Sequence, residues 1–170
     1  MKGVTLDAGA LIAFDRNDRR VVTILARALE RHVSIVIPAG VVGQVWRDGR
    51  RQARLARLLG SSNITVEPLD DSRARAAGQL CGVRGTTDVI DASVVLGARA
   101  RRQPILTSDL ADLRRLDPDL RSSCLGEPRL RSLVVVDLSA AGSSPIHGRG
   151  CHCANGAIPN LASRAIWRER

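Results

Sequence analysis

Val4-Thr5-Leu6-Asp7-Ala8-Gly9-Ala10-Leu11-Ile12-Ala13-Phe14 joins a short apolar, β-branched run to a helix-forming run through one aspartate. The first three residues fit a brief buried strand, and the Ala- and Leu-rich segment Ala8–Phe14 fits a helix. Asp7 therefore stands where a strand hands over to a helix. The same order returns far down the chain, where Pro104-Ile105-Leu106-Thr107 reads as a strand and Asp109–Leu116 as a short helix.

Between these two handovers, strands and helices alternate. Asn17 is expected to cap a second helix running to about His32, with Val21, Ile24, Leu25, Ala28 and Leu29 at helical spacing. Val33–Ile37 is a β-branched strand, which Pro38 ends. Pro38 also opens a long helix over about 39–59, terminated by Gly60. Ile64–Val66 reads as a strand, Asp70–Val83 and Asp88–Arg101 as helices, and Leu133–Val136 as a last strand. This alternation predicts a mostly parallel sheet covered on both faces, a three-layer α/β/α sandwich. The folded domain is expected over 1–138. From about Ser139, Gly, Ser and Pro accumulate without an apolar period, so 139–170 reads as a flexible, disordered tail with at most a short helix near Leu161–Trp167.

Hydrophobic residues make up 44% of the 170, enough for one core, but aromatics are only 2%, so that core must be aliphatic. No apolar run reaches the roughly 18 residues that span a bilayer, and no signal-peptide core follows Met1; a soluble cytoplasmic protein is expected. Four cysteines without a secretion signal do not imply a disulfide framework, and Cys81 reads as a small buried residue in a helix. The net charge is +9. Setting aside the tail's four arginines and one glutamate leaves 22 basic against 16 acidic residues, so the folded part is itself basic. A basic surface concentrates phosphate polyanions, although 25 arginines against one lysine is also a bias that coding composition alone produces.

Four aspartates stand out by position. Asp7 and Asp109 follow strands, and sites in open α/β sheets lie beyond the carboxyl ends of strands. Asp88 and Asp91 are three apart at the start of a helix and share one side of its first turn. In a parallel sheet all four converge on one crevice. Clustered carboxylates are hard oxygen ligands for Mg2+ or Mn2+, the ions that phosphodiester hydrolysis uses to orient a water and to stabilise the leaving oxygen. Taken singly, Asp7, Asp88 and Asp109 each also fit an N-cap, worth roughly 1 kcal/mol, and the two roles are compatible.

Thr5-Leu6-Asp7-Ala8-Gly9-Ala10-Leu11-Ile12-Ala13 resembles the opening of PIN domains, Thr87-Asp88-Val89-Ile90-Asp91-Ala92 resembles their third acidic segment, and Leu106-Thr107-Ser108-Asp109-Leu110 resembles their last. The resemblance covers about residues 2–138 and is nearest to the VapC-type toxins of toxin–antitoxin pairs. It implies a Mg2+- or Mn2+-dependent endoribonuclease acting on RNA, usually a homodimer, silenced by a small antitoxin protein. Asp7, Asp91 and Asp109 are then the metal ligands and catalytic residues, with Asp88 an extra carboxylate and Thr107 or Ser108 assisting. One departure stands out: where the family usually carries a glutamate, this chain has Gln44. Gln44 keeps a neutral oxygen but loses a ligand charge. The alternative is therefore a catalytically weak PIN-like protein that binds RNA or an antitoxin.

On the expected helix 39–59, Arg47, Arg50, Arg51, Arg54 and Arg57 fall along one face, with Gln44 at its edge. The first four are candidates for holding RNA phosphates near the carboxylates, against the plainer reading of a solvated face. His32, His147 and His152 do not support a Ser-His-Asp triad, and Cys151-His152-Cys153 does not have the spacing of a usual zinc finger. A phosphatase with Asp7 as nucleophile is also disfavoured, because Gly9 occupies the place of its general acid.

Overall fold

The structure, a computed structural model, describes residues 3–123 and 134–137. The expected tail, its possible helix, Cys124, Cys151, Cys153, His147 and His152 lie outside the described residues.

The elements run β1 (Gly3–Leu6), α1 (Ala8–Asp15), α2 (Arg19–Glu30), β2 (Ser34–Pro38), α3 (Ala39–Val45), α4 (Ala53–Leu59), β3 (Ile64–Glu67), α5 (Asp71–Arg84), α6 (Val89–Arg101), β4 (Ile105–Thr107), α7 (Leu110–Leu116), β5 (Arg121–Ser123) and β6 (Val134–Asp137). They form a six-stranded sheet in the order β3-β2-β1-β4-β6-β5. The four strands β3, β2, β1 and β4 are parallel, while β6 pairs antiparallel with both β4 and β5. Helices α1 to α4 pack among themselves on one side. Helices α5 and α7 pack on α6, which lies along β1, β2 and β4. The expected α/β architecture with a mostly parallel sheet is thus present.

The strands at the centre are largely apolar because both faces are covered: all four residues of β1 are buried, as are Ile35, Val36, Ile37 and Pro38 of β2. Leu6, Leu11, Leu25, Ile35, Ile37, Leu55, Ile105, Leu106 and Leu113 are essentially inaccessible to solvent. This aliphatic core replaces the aromatic one the composition lacks. Cys81 belongs to it, as expected.

Two expectations need correcting, and one edge strand was not expected. Asn17 does not cap α2. It takes a left-handed conformation (φ 64°) in the turn after α1, and Asp18 is the cap, its carboxylate accepting from the Arg20 N–H at 2.9 Å. The final strand is antiparallel and inserted next to β4, and the polar three-residue β5 had no apolar run to announce it. The helix over 39–59 is two helices. Between them Asp48 accepts from the Arg50 N–H (2.9 Å), and Gln52 Oε1 accepts from the N–H groups of Arg47 (2.7 Å) and Asp48 (3.1 Å). Trp46 covers Gly49 so closely that an added Cβ there would stand 2.9 Å from the ring. Side-chain bonds to the backbone have replaced the helical ladder here, and the pair Asp48-Gly49 was the turn signal.

Candidate active site

Parallel pairing puts β1 and β4 side by side, with Leu6 opposite Leu106. Asp7 and Thr107, each one residue further on, therefore leave the sheet together. Thr107 is fully buried, and its hydroxyl donates to Asp7 Oδ2. The same hydroxyl oxygen accepts from the Asp109 N–H at 2.9 Å. Asp7 Oδ1 accepts from the Ala10 N–H at 2.7 Å and so N-caps α1. One buried threonine thus ties two of the acidic positions into a single unit.

Behind them, α6 begins at the same edge. Asp88 caps it through Oδ1, which accepts from the N–H groups of Ile90 (3.0 Å) and Asp91 (2.9 Å). Asp109 does the same for α7, its Oδ1 accepting from Ala111 (3.1 Å) and Asp112 (3.3 Å). The capping role foreseen for these aspartates is real. In both, among the described residues, the second carboxylate oxygen has no hydrogen-bond partner. Helix α3 reaches this edge as well: an added Cβ on Gly40 would stand 3.2 Å from Ile90 in the first turn of α6. Gln44 lies one turn beyond Gly40 and is half-buried.

Asp91 is the least compensated member. Half-buried, its carboxylate has no hydrogen bond or ion pair among the described residues. Burial first, then the charges of Asp88, Asp7, Asp112 and Asp109, push its carboxyl up to about 7. Asp7 is also raised, chiefly by burial and further by Asp109, while its bonds from Thr107 and Ala10 work in the opposite direction. Burial raises the Cys81 thiol too, with Asp88 and Asp91 adding to it. All four aspartates singled out in the sequence are therefore electrostatic neighbours, and they have a fifth, Asp112, which the sequence reading did not single out. Its position three residues after Asp109, on the same first turn, was the available signal.

The donor set suits a hard divalent cation: every group is an oxygen, and among the described residues no ion pair reaches Asp7, Asp88, Asp91 or Asp109. As the side chains stand, no three of the described His, Cys, Asp or Glu residues are gathered tightly enough to hold an ion, with Asp88 and Asp109 turned onto their own helices. Asp7, Asp91 and the free oxygens of Asp88 and Asp109 are the groups that could engage one.

Among the described residues, no hydrogen bond or ion pair joins Arg47, Arg50, Arg51, Arg54 or Arg57 to Asp7, Asp88, Asp91 or Asp109. Arg47 donates to the carbonyls of Gly43 (3.1 Å), Gln44 (2.7 Å) and Trp46 (2.8 Å), closing the end of α3. Arg50 and Arg51 lie in the turn, and Arg51 pairs with Asp48 at 3.6 Å. Gln52 in that turn donates to Asp15 at the last residue of α1 (3.0 Å). Asp7 caps the other end of this eight-residue helix, about 12 Å away. Arg54 and Arg57 line a cleft of about 540 Å3 with Phe14, Val22, Leu25 and Leu58. The break in the helix divides the expected stripe between the end of α3, the turn and α4. Ser108 is exposed and packs on Gly9, where a Cβ would meet its hydroxyl at 1.9 Å and would displace it.

Among the described residues no helix is long and apolar enough to cross a membrane. No protein family, curated protein or solved structure matches the chain.

Proposed function

We propose that the chain is a PIN-like, metal-dependent endoribonuclease, with Asp7, Asp91 and Asp109 as metal ligands and Asp88 assisting. The observation that carries this reading is the uncompensated Asp91 carboxylate among four like charges at the carboxyl end of a parallel sheet. A protein tolerates such repulsion where a cation relieves it. A bound Mg2+ or Mn2+ would supply Lewis-acid stabilisation of the phosphate and a more acidic water. The chain's own contribution is placement. Thr107 holds Asp7 through its hydroxyl and Asp109 through its N–H. The caps of α6 and α7 fix Asp88 and Asp109 at one oxygen and leave the other available. The basic surface, +9 over the chain, draws the polyanionic strand. The proposed biological setting is that of a VapC-like toxin, dimeric and held by a small antitoxin.

Purified protein is expected to cut single-stranded RNA with Mg2+ or Mn2+ and to stop with EDTA. Asp7→Asn should lower the rate at least a hundredfold; a folded Asp7→Asn protein that cuts as fast as wild type would overturn the assignment.

A second reading rests on Gln44, half-buried one turn from the Gly40 contact with α6. With an amide there, the site has one charge fewer and the protein serves as an RNA- or antitoxin-binding module with weak turnover. Gln44→Glu then raises metal-dependent cleavage sharply. An already robust wild-type rate, unchanged by Gln44→Glu, decides against this reading.

A further inference from the structure

A cleft of about 410 Å3 runs beside the carboxylates, lined by Gly9, Ile12, Ala13, Arg16, Asp18 and Ser108. Its upper end is the contact between Gly9 and Ser108, two residues after Asp7 and one before Asp109. Its lower end is Arg16, two turns along from Gly9 and so about 10 Å away. The floor is apolar, from Ile12 and Ala13, and the rim is polar. The Arg16 side chain is exposed and, among the described residues, has no hydrogen bond or ion pair. Asp18 is occupied at one oxygen by the Arg20 N–H (2.9 Å), which leaves the other as an acceptor. Ser108 presents a hydroxyl. This volume lies in the range of small-ligand pockets.

We propose that this cleft seats the RNA nucleotide adjacent to the scissile phosphate, with its base or ribose against Ile12 and Ala13, its hydroxyls towards Ser108 and Asp18, and its phosphate on Arg16. The proposal rests on the nuclease reading for the placement of the scissile phosphate. It assigns substrate contact to Arg16 in place of the dispersed arginines of residues 47–54. A guanidinium recognises a phosphate through paired N–H donors, and each such contact releases a counterion.

The test measures binding without requiring cleavage. Full-length Asp7→Asn protein in EDTA is titrated against a fluorescein-labelled single-stranded hexaribonucleotide, read by anisotropy at several salt concentrations. Adding Arg16→Ala should weaken binding about fivefold to tenfold and lower the salt slope by about one. Arg31→Ala, which removes an equal charge from an exposed position after α2, should leave both nearly unchanged. Ile12→Glu, on a partly exposed side chain, should weaken binding at least as much, with the thermal melt confirming the fold of each variant. Equal losses from Arg16→Ala and Arg31→Ala, or no loss from Arg16→Ala, or no binding by the parent protein, overturn the proposal. Absent cleavage by wild type combined with Arg16-dependent binding would sink the nuclease reading alone. Cleavage with a KM indifferent to Arg16→Ala would sink this inference alone.

Discussion

Asp91 and Asp7 show how far one side chain's chemistry depends on what faces it. Asp7 is the more buried of the two, yet it is bonded by Thr107 and by the Ala10 N–H, which favour its ionised form. Asp91 receives no such bond and has more acidic neighbours. An acid whose pKa is higher in the folded than in the unfolded chain binds more protons when folded. Stability contributed this way is present below the unfolded value of 3.8 and is lost as pH rises towards about 7. In EDTA, wild type is therefore expected to lose stability between about pH 4 and pH 7. Asp91→Asn should remove that loss and gain about 1 to 2 kcal/mol at pH 7, after discounting for solvent screening of a half-buried group. Urea denaturation across that pH range checks it, and parallel curves for the two proteins would refute the account. Thr107 offers a complementary change. Thr107→Val preserves shape but removes the hydroxyl from Asp7 and Asp109, at an expected cost of about 1 to 3 kcal/mol and a large fall in RNA cleavage. Undiminished cleavage by a folded Thr107→Val protein would mean that the tie between the two aspartates has no part in the chemistry.

At the level of elements, the handovers from strand to helix were legible because their signals are local. Val4–Leu6 and Ile105–Thr107 are buried and, apart from one threonine each, apolar, and an aspartate caps the helix that follows each strand. From there, parallel pairing was enough to predict that Asp7 and Asp109 meet. The break inside 39–59 was harder, since Val41, Val42, Val45, Leu55, Leu58 and Leu59 keep a helical apolar spacing on both sides of it. What decides the break is long-range within the turn: Gln52 bonds Asp15 of α1 as well as the backbone of residues 45 to 48. No periodicity encodes that contact. The arginines expected on one helix face are accordingly divided between the end of α3, the turn and α4. Likewise β5 is polar and short, and its existence depends on β6 arriving antiparallel at the edge of β4. If Gln52 is the brace, Gln52→Ala should cost about 1 to 3 kcal/mol by leaving several donors and acceptors of the turn without partners. Cleavage at saturating RNA should change little, because the turn meets α1 at Asp15, the end away from Asp7. A melting temperature equal to wild type would show that the turn is held by Gly49 and Arg47 without it.

Across the whole molecule, two ion-pair centres keep helices in register with the sheet while the acidic edge remains unbalanced. Asp117, which is 1% exposed, is gripped by the guanidinium of Arg99, tying the end of α7 to α6. Glu67 at the end of β3 is held by Arg73 of α5 and by Arg101 of α6. On the edge where α1, α6 and α7 begin, Asp7, Asp88, Asp91 and Asp109 have no such counter-charge among the described residues. The fold therefore concentrates its unfavourable electrostatics in one place, and a ligand that neutralises that place must stabilise the whole domain by linkage. Mg2+ or Mn2+ at a hundredfold excess over its dissociation constant adds about 2.7 kcal/mol, or a rise of several degrees in Tm for a domain of this size. The rise should grow from pH 6 to pH 8 as Asp91 sheds the proton that competes with the cation. Asp91→Asn should begin from a higher Tm in EDTA and gain little from the cation. Differential scanning calorimetry of both proteins, with and without the ion, separates a metal centre from charge screening. Screening by added NaCl at equal ionic strength would have to reproduce the shift, and an equal shift in Asp91→Asn would mean that the ion binds elsewhere.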